Sequence, residues 1–188
     1  VTDINDYDRV LSELEQGGIT YETRRALAIK VFNTTASYDA AIANYFNKKD
    51  NLVPERLTLS YKLQDSLRYG ENPHQKAYHY VQDNNESYAL QNAVQLHGKE
   101  MSYNNIQDAS AALDILSEFD ETTCVAVKHM NPCGVATGNS VFEAYSRSYE
   151  ADPVSIFGGI VAVNGKVDKE TAEKMHSIFL EIILATDY

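Results

Sequence analysis

The sequence predicts an α/β fold, and three observations carry that expectation. Two short continuous apolar runs, Cys-Val-Ala-Val at 124–127 and Ile-Val-Ala-Val at 160–163, have the texture of strands buried on both faces. Segments of helical period accompany them at 106–119, 141–150 and 168–184, and strands alternating with helices at short intervals build a layered architecture. Residues 1–48, by contrast, carry helical signals only, so the α/β part starts later in the chain.

In that first segment Asp3 and Asp6 stand where N-caps belong, ahead of Tyr7, Val10, Leu11 and Leu14, and Gly17-Gly18 stops the helix. Thr20 opens a longer helix with Leu27, Val31, Tyr38, Ile42 and Tyr45 on one stripe and Arg24, Lys30, Asn33, Ser37 and Asn44 opposite. Two helices with neither a strand nor a third helix cannot close a core, so 1–48 reads as the tail of a domain lying mainly upstream. The start at Val1 rather than Met is read the same way, as the edge of a trimmed piece. From Asn47 to about Leu67 the pattern loosens, through Lys48-Lys49-Asp50-Asn51 and Pro54 to an alternation of Leu57, Leu59, Tyr61 and Leu63. That is linker chemistry leading into an edge strand, and 49–66 is taken as the linker between domains. Residues 77–81, with Tyr78 and Tyr80 alternating, and 88–96 read as strands. The helix at 106–119 places Ile106, Ala109, Leu113 and Leu116 on one side, and Asp168 caps the last helix, taken to run to Leu184.

Composition narrows the function. With 188 residues, 44% of them hydrophobic, the chain can bury a real core. Lys and Arg total 16 against 27 Asp and Glu, a formal net charge of −11, which argues against the broad basic face that nucleic-acid binding requires. Small anionic ligands need only a few well-placed cations and stay open. No apolar run approaches the roughly 20 residues of a membrane span, and no charged-then-apolar leader opens the chain. Cys124 and Cys133, the two cysteines, cannot build a disulfide framework, and a reducing, cytoplasmic home is the expectation.

Four clusters put Gly, Pro, His and Asn just outside strand or helix ends. The first, 67–75, contains Arg68-Tyr69 and His74: a guanidinium holds phosphate with a planar fork and a tyrosine ring stacks on a flat heterocycle. A plain polar turn begun by Asn72-Pro73 explains the same residues. In the second, 127–136, a hydrophobic strand delivers Lys128 and His129 at its C-terminal end, the edge where open α/β sheets place ligands. Histidine carries protons near neutral pH, and lysine stabilises charge developing on a carbonyl oxygen; a solvated strand end followed by a hydrogen-bonded turn accounts for the pattern equally well. The third, 152–159, ends in Gly158-Gly159, which suits either a backbone approach to a ligand or a tight turn. The fourth, 180–185, has Glu181 interrupting an apolar stretch, either accepting from a ligand or facing solvent.

A metal centre is not expected. Pro132-Cys133 invites comparison with the Pro-Cys-x-x-Cys of zinc deaminases, but the second cysteine position is Ala136 and no His-x-Glu occurs.

In order and spacing, LRYGENPHQ, SYNNIQDASAALD, VKHMNPCGVATG and DPVSIFGGIVAVN closely resemble the bifunctional purine biosynthesis family, which joins a phosphoribosylaminoimidazole-carboxamide (AICAR) formyltransferase and an IMP cyclohydrolase on one chain. TRRALAIKVFNTTASYDAAIANYF resembles the last helices of that family's cyclohydrolase domain. The resemblance implies a cytidine-deaminase-like α/β lobe without the deaminase zinc, spanning 67–188 as the first part of the formyltransferase domain. It also implies a homodimer with shared active sites, AICAR as acceptor and 10-formyltetrahydrofolate as cosubstrate. Carried over by position, Arg68 and Tyr69 match the AICAR-binding pair, with His74 in the same motif. Lys128 and His129 match the catalytic pair, His129 as proton acceptor. Gly158 and Glu181 match nucleotide contacts. One departure is Ala185-Thr186, where the family usually has Ala-Pro. The family's cyclohydrolase residues lie upstream of Val1 and most of its folate pocket lies downstream of Tyr188, so this piece alone is expected to catalyse neither reaction. The competing reading from another class is a non-catalytic nucleotide-binding or dimerisation module.

Overall fold

The computed structural model describes residues 1–82 and 89–188. Its contacts divide into two units, Val1–Lys62 and Leu63–Tyr188. In the first unit a 3₁₀ turn, Ile4–Asp6, leads into helix α1 (Tyr7–Glu15), and Thr20 caps α2 (Tyr21–Lys49) by accepting a bond from the Thr23 amide. Asp3 caps the 3₁₀ turn through the Asn5 amide. Asp6 precedes α1, as expected of a cap, but makes no capping bond; its carboxylate accepts from Lys30 Nζ at 2.7 Å, tying the start of α1 to α2. Glu13 adds a second tie, accepting from the Thr20 amide and from the Thr23 hydroxyl. Only Thr23 and Ala40 are buried on α2, while Tyr21, Ile29, Phe32, Tyr38, Tyr45 and Phe46 are exposed. The helix is therefore apolar on more than one face, the pattern of a helix built to be covered.

The second unit begins with a two-stranded sheet of β1 (Lys62–Leu67) and β2 (Ala77–Val81). β1 thus takes up the last residues of the segment read as linker. The strand expected over 88–96 does not form: Tyr88 lies outside the described residues, and Leu90–Asn92 is a 3₁₀ turn followed by irregular chain. Helix α3 (Tyr103–Leu116) starts three residues earlier than its apolar stripe suggests, because Ser102 and Asn105 form a reciprocal capping box.

A mixed four-stranded sheet forms the rest: β3 (Thr123–Lys128), β4 (Asn131–Thr137), β5 (Ile160–Val163) and β6 (Ile182–Leu184), in spatial order β4-β3-β5-β6. β3 runs antiparallel to β4 and β5, whereas β5 and β6 are parallel. Two further helices, α4 (Val141–Ala151) and α5 (Lys169–Met175), complete it. Strand alternation sorts the core into two sides. Val125 and Val127 meet Ala109, Ala112 and Leu116 of α3, while Cys124 and Ala126 meet Ala144, Tyr145, Ile156 and Met175 on the side of α4 and α5. The layers are therefore helix, sheet, helix, a mixed α/β architecture. Leu116 is 1% exposed, and cutting such a side chain to alanine costs roughly 2–5 kcal/mol.

Two sequence expectations fail here for local reasons. The stretch after Lys128, read as a turn within 127–136, is mostly the edge strand β4. An edge strand tolerates the missing Pro132 amide, and a bulge opposite Ala126 and Val127 leaves Cys133 unpaired. Residues 168–184, read as one helix, break after Met175, and Ile182-Ile183-Leu184 pairs with β5 instead. Among the described residues no helix is long and apolar enough to cross a membrane.

Candidate functional site

One edge of the four-stranded sheet gathers four of the residues singled out in the sequence. β3 ends there at Lys128, and because β5 and β6 run the opposite way, their beginnings lie at the same edge: Val127 pairs with Ile160, and Ile160 with Ile182. The site is thus built from the end of one strand and the starts of two others, not from the carboxyl ends of a parallel sheet.

Lys128 donates from Nζ to the carbonyl oxygen of Phe157 at 2.8 Å. One of the ammonium's three hydrogens is thereby committed, and among the described residues the other two have no partner. Phe157 opens the pair Gly158-Gly159. Gly158 has φ +69, a left-handed backbone that glycine adopts without strain, and its amide donates to Phe179 O at 2.8 Å. The Glu181 amide in turn donates to Gly159 O at 3.0 Å, which lays the start of β6 beside the glycine turn. The exposed Glu181 carboxylate accepts from Asn105 Nδ2 at 2.8 Å, so the first turn of α3 borders the same edge.

His129 and Met130 form the two-residue connection between β3 and β4, with Lys128 opposite Asn131. Both are left-handed, at φ 53 and 61. A two-residue hairpin with positive φ at both positions favours Asn-Gly. Two ordinary L-residues there cost about 1–2 kcal/mol each, so neighbouring bonds must hold the turn. Asn131 Nδ2 donates to His129 O at 2.7 Å, and the Met130 amide donates to Asp108 Oδ1 at 2.7 Å. The result presents an exposed imidazole directly after the Lys128 ammonium.

The first cluster behaves differently. Arg68 and Tyr69 follow β1, with the guanidinium 5.9 Å from the Tyr69 ring centroid, within cation–π range. The turn after them closes on itself: Gly70 N donates to Gln75 O at 2.9 Å, Gln75 N to Asn72 O at 3.0 Å and Asn72 N to Gln75 Oε1 at 2.8 Å. His74 is exposed within that turn. The structure brings Lys128, His129, Gly158 and Glu181 to one edge and gives Arg68, Tyr69 and His74 a local turn. Sequence reasoning missed Asn105 and Asp108, which reach the edge from α3. Asn105 could have been noticed as the partner of the Ser102 cap, whereas Asp108 carries no such local signal.

The cysteines stand apart from this chemistry. Burial pushes the Cys124 thiol up to about 12 and raises that of Cys133, so neither offers the thiolate a metal would take. Among the described residues no group of three His, Cys, Asp or Glu side chains is placed to hold a metal ion.

A family model described as AICARFT/IMPCHase bienzyme matches residues 1–188. The chain is 58% identical over 191 residues to a "Bifunctional purine biosynthesis protein PurH" of Lactobacillus acidophilus, covering 100% of the chain and 37% of that relative. It is 58% identical over 186 residues to the protein of the same name in Lysinibacillus sphaericus, covering 98% and 36%. The corresponding Bacillus cereus protein is 56% identical over 190 residues, covering 100% and 37%. The chain therefore spans a little over a third of the length of these curated relatives.

Proposed function

The chain belongs to the AICARFT/IMPCHase bienzyme family, and from that premise we propose that it supplies the nucleotide side of a formyl-transfer site in purine biosynthesis. The protein would transfer the formyl group of 10-formyltetrahydrofolate to AICAR, and the same parent chain would close the product to IMP. The observation that carries this reading is the Lys128–His129 step at the sheet edge, beside Gly158-Gly159 and Glu181.

The chemistry asks for these groups. The AICAR amine is conjugated into its ring and is a weak nucleophile. As its nitrogen attacks the formyl carbon, His129 takes the amine proton, a general-base contribution of roughly two to four orders of magnitude. The carbonyl oxygen gains negative charge, and the two free N–H groups of Lys128 stabilise it. Collapse of the tetrahedral intermediate expels the folate nitrogen, which takes up a proton. Glu181, held by Asn105 at 2.8 Å, accepts from the nucleotide, and the glycine turn lets its backbone approach. Arg68 and Tyr69 would add phosphate and ring contacts. His74 belongs to the same motif.

The same reading assigns 1–48 to the last helices of the cyclohydrolase domain, 49–66 to the linker and 67–188 to the cytidine-deaminase-like first lobe of the formyltransferase. It takes the parent as a cytoplasmic homodimer that uses no metal. Tetrahydrofolate release from the intact protein, given AICAR and 10-formyltetrahydrofolate together and separately, tests it. Turnover only with both substrates is expected; nucleotide binding without turnover would leave a non-catalytic binding module instead.

A further inference from the structure

The left-handed turn carrying His129 needs a device to hold it, since neither His129 nor Met130 has glycine's freedom. Asn131 secures one side, but it belongs to the same hairpin and moves with it. The hairpin tip is fixed to another element by the bond from the Met130 amide to Asp108 Oδ1, at 2.7 Å across 22 residues. Asp108 is half-buried on α3, immediately before Ala109, which is fully buried against the sheet. The carboxylate therefore sits on a rigid base, and a bond from an amide to an ionised acceptor is stronger than its neutral equivalent. Asn105, one helical turn earlier, occupies the same face and holds Glu181.

We infer that Asp108 is a positioning residue for His129: by accepting from the Met130 amide it locks the left-handed turn that aims the imidazole at the acceptor's amine. This rests on the formyl-transfer reading above. Asp108 itself touches neither substrate. Its loss lets the tip relax toward ordinary backbone angles and displaces the base, and a shift of about 1 Å is enough to cost on the order of a hundredfold in rate.

The test uses the intact protein and follows tetrahydrofolate release. Asp108→Ala should lower kcat by roughly ten- to a hundredfold while KM for AICAR stays nearly constant. Asp108→Asn should retain most of the rate, because its amide oxygen accepts the same bond. Adding Met130→Gly to Asp108→Ala should restore much of the lost kcat, since glycine takes the positive φ freely; a residue that only supported the fold would gain nothing from that change. Should Asp108→Ala fail to fold, Asp108→Ser withdraws the acceptor from Met130 and gives the same comparison. A wild-type kcat for the Ala or Ser variant, a loss confined to KM, or a loss that Met130→Gly does not recover overturns the inference. Its failure is separable from failure of the functional reading: wild-type protein without formyl transfer, or His129→Ala with full turnover, rejects the reading itself.

Discussion

The paired glycines before β5 look interchangeable in sequence, yet the structure asks different things of them. At Gly158 the backbone is left-handed, φ +69, and an added Cβ meets only Phe179 Cδ1 at an ordinary 3.9 Å. Alanine there is strained by conformation alone, about 1–2 kcal/mol, and asparagine, which tolerates that backbone, should cost less. At Gly159 an added Cβ lies 2.9 Å from Val127 O and 3.0 Å from Ile156 O. Both are backbone atoms and one belongs to the buried β3 ladder, so the loop must move as a whole; such overpacking costs roughly 1–3 kcal/mol or more. Gly158→Asn, Gly158→Ala and Gly159→Ala should therefore be progressively less stable. Thermal unfolding of the intact protein reads this as progressively lower midpoints. Formyl transfer should decline in the same order, because Phe157 O anchors Lys128 at 2.8 Å one residue earlier. A Gly159→Ala protein as stable as wild type, or Gly158→Asn below Gly158→Ala, would refute the reasoning.

Two other expectations concern the remaining segments. Arg68→Lys keeps the charge but loses the planar fork, so AICAR affinity should weaken; unaltered affinity by calorimetry would leave that cluster as a turn only. Bonds from the Thr23 hydroxyl and the Thr20 amide, together with Arg9, hold the Glu13 carboxyl down at about 2, against an ordinary 4.5. A depressed carboxylate stabilises the folded form above its ordinary value and loses that effect as the pH falls through the depressed one. The stability difference between wild type and Glu13→Gln, followed by helical circular dichroism, should thus be full above about pH 5 and shrink toward pH 2; a difference independent of pH would contradict the tie between α1 and α2.

What was legible in the sequence was what local pattern determines. β3 and β5 showed as apolar runs because both faces of each are buried, and Thr20 showed as a cap because its hydroxyl serves its own helix. β4 was hidden by Pro132, Cys133 and Gly134, which read as a turn. The edge position removes the need for Pro132's amide, the bulge absorbs Cys133, and Gly134 admits α4, since a Cβ there would fall on the Ser148 carbonyl. β6 was hidden because Ile182-Ile183-Leu184 follows a helical stretch, and only pairing with β5 decides between the two. In the site, Lys128 and His129 stood out as strand-end residues, but the left-handed turn carried no Gly or Asn to announce it. Asn105 and Asp108 reach the edge through bonds spanning 76 and 22 residues, and no local pattern encodes those. For Arg68, Tyr69, Gly158 and Glu181 residue chemistry left a ligand contact and a plain turn or solvent-facing position both open, and the family resemblance chose between them.

His129→Ala in the intact protein tests the central claim most directly, because the proposed reaction stands on one proton acceptor at one sheet edge. With AICAR and 10-formyltetrahydrofolate supplied, tetrahydrofolate release should fall by roughly two to four orders of magnitude while AICAR affinity changes far less. Wild-type turnover in that variant would contradict the account.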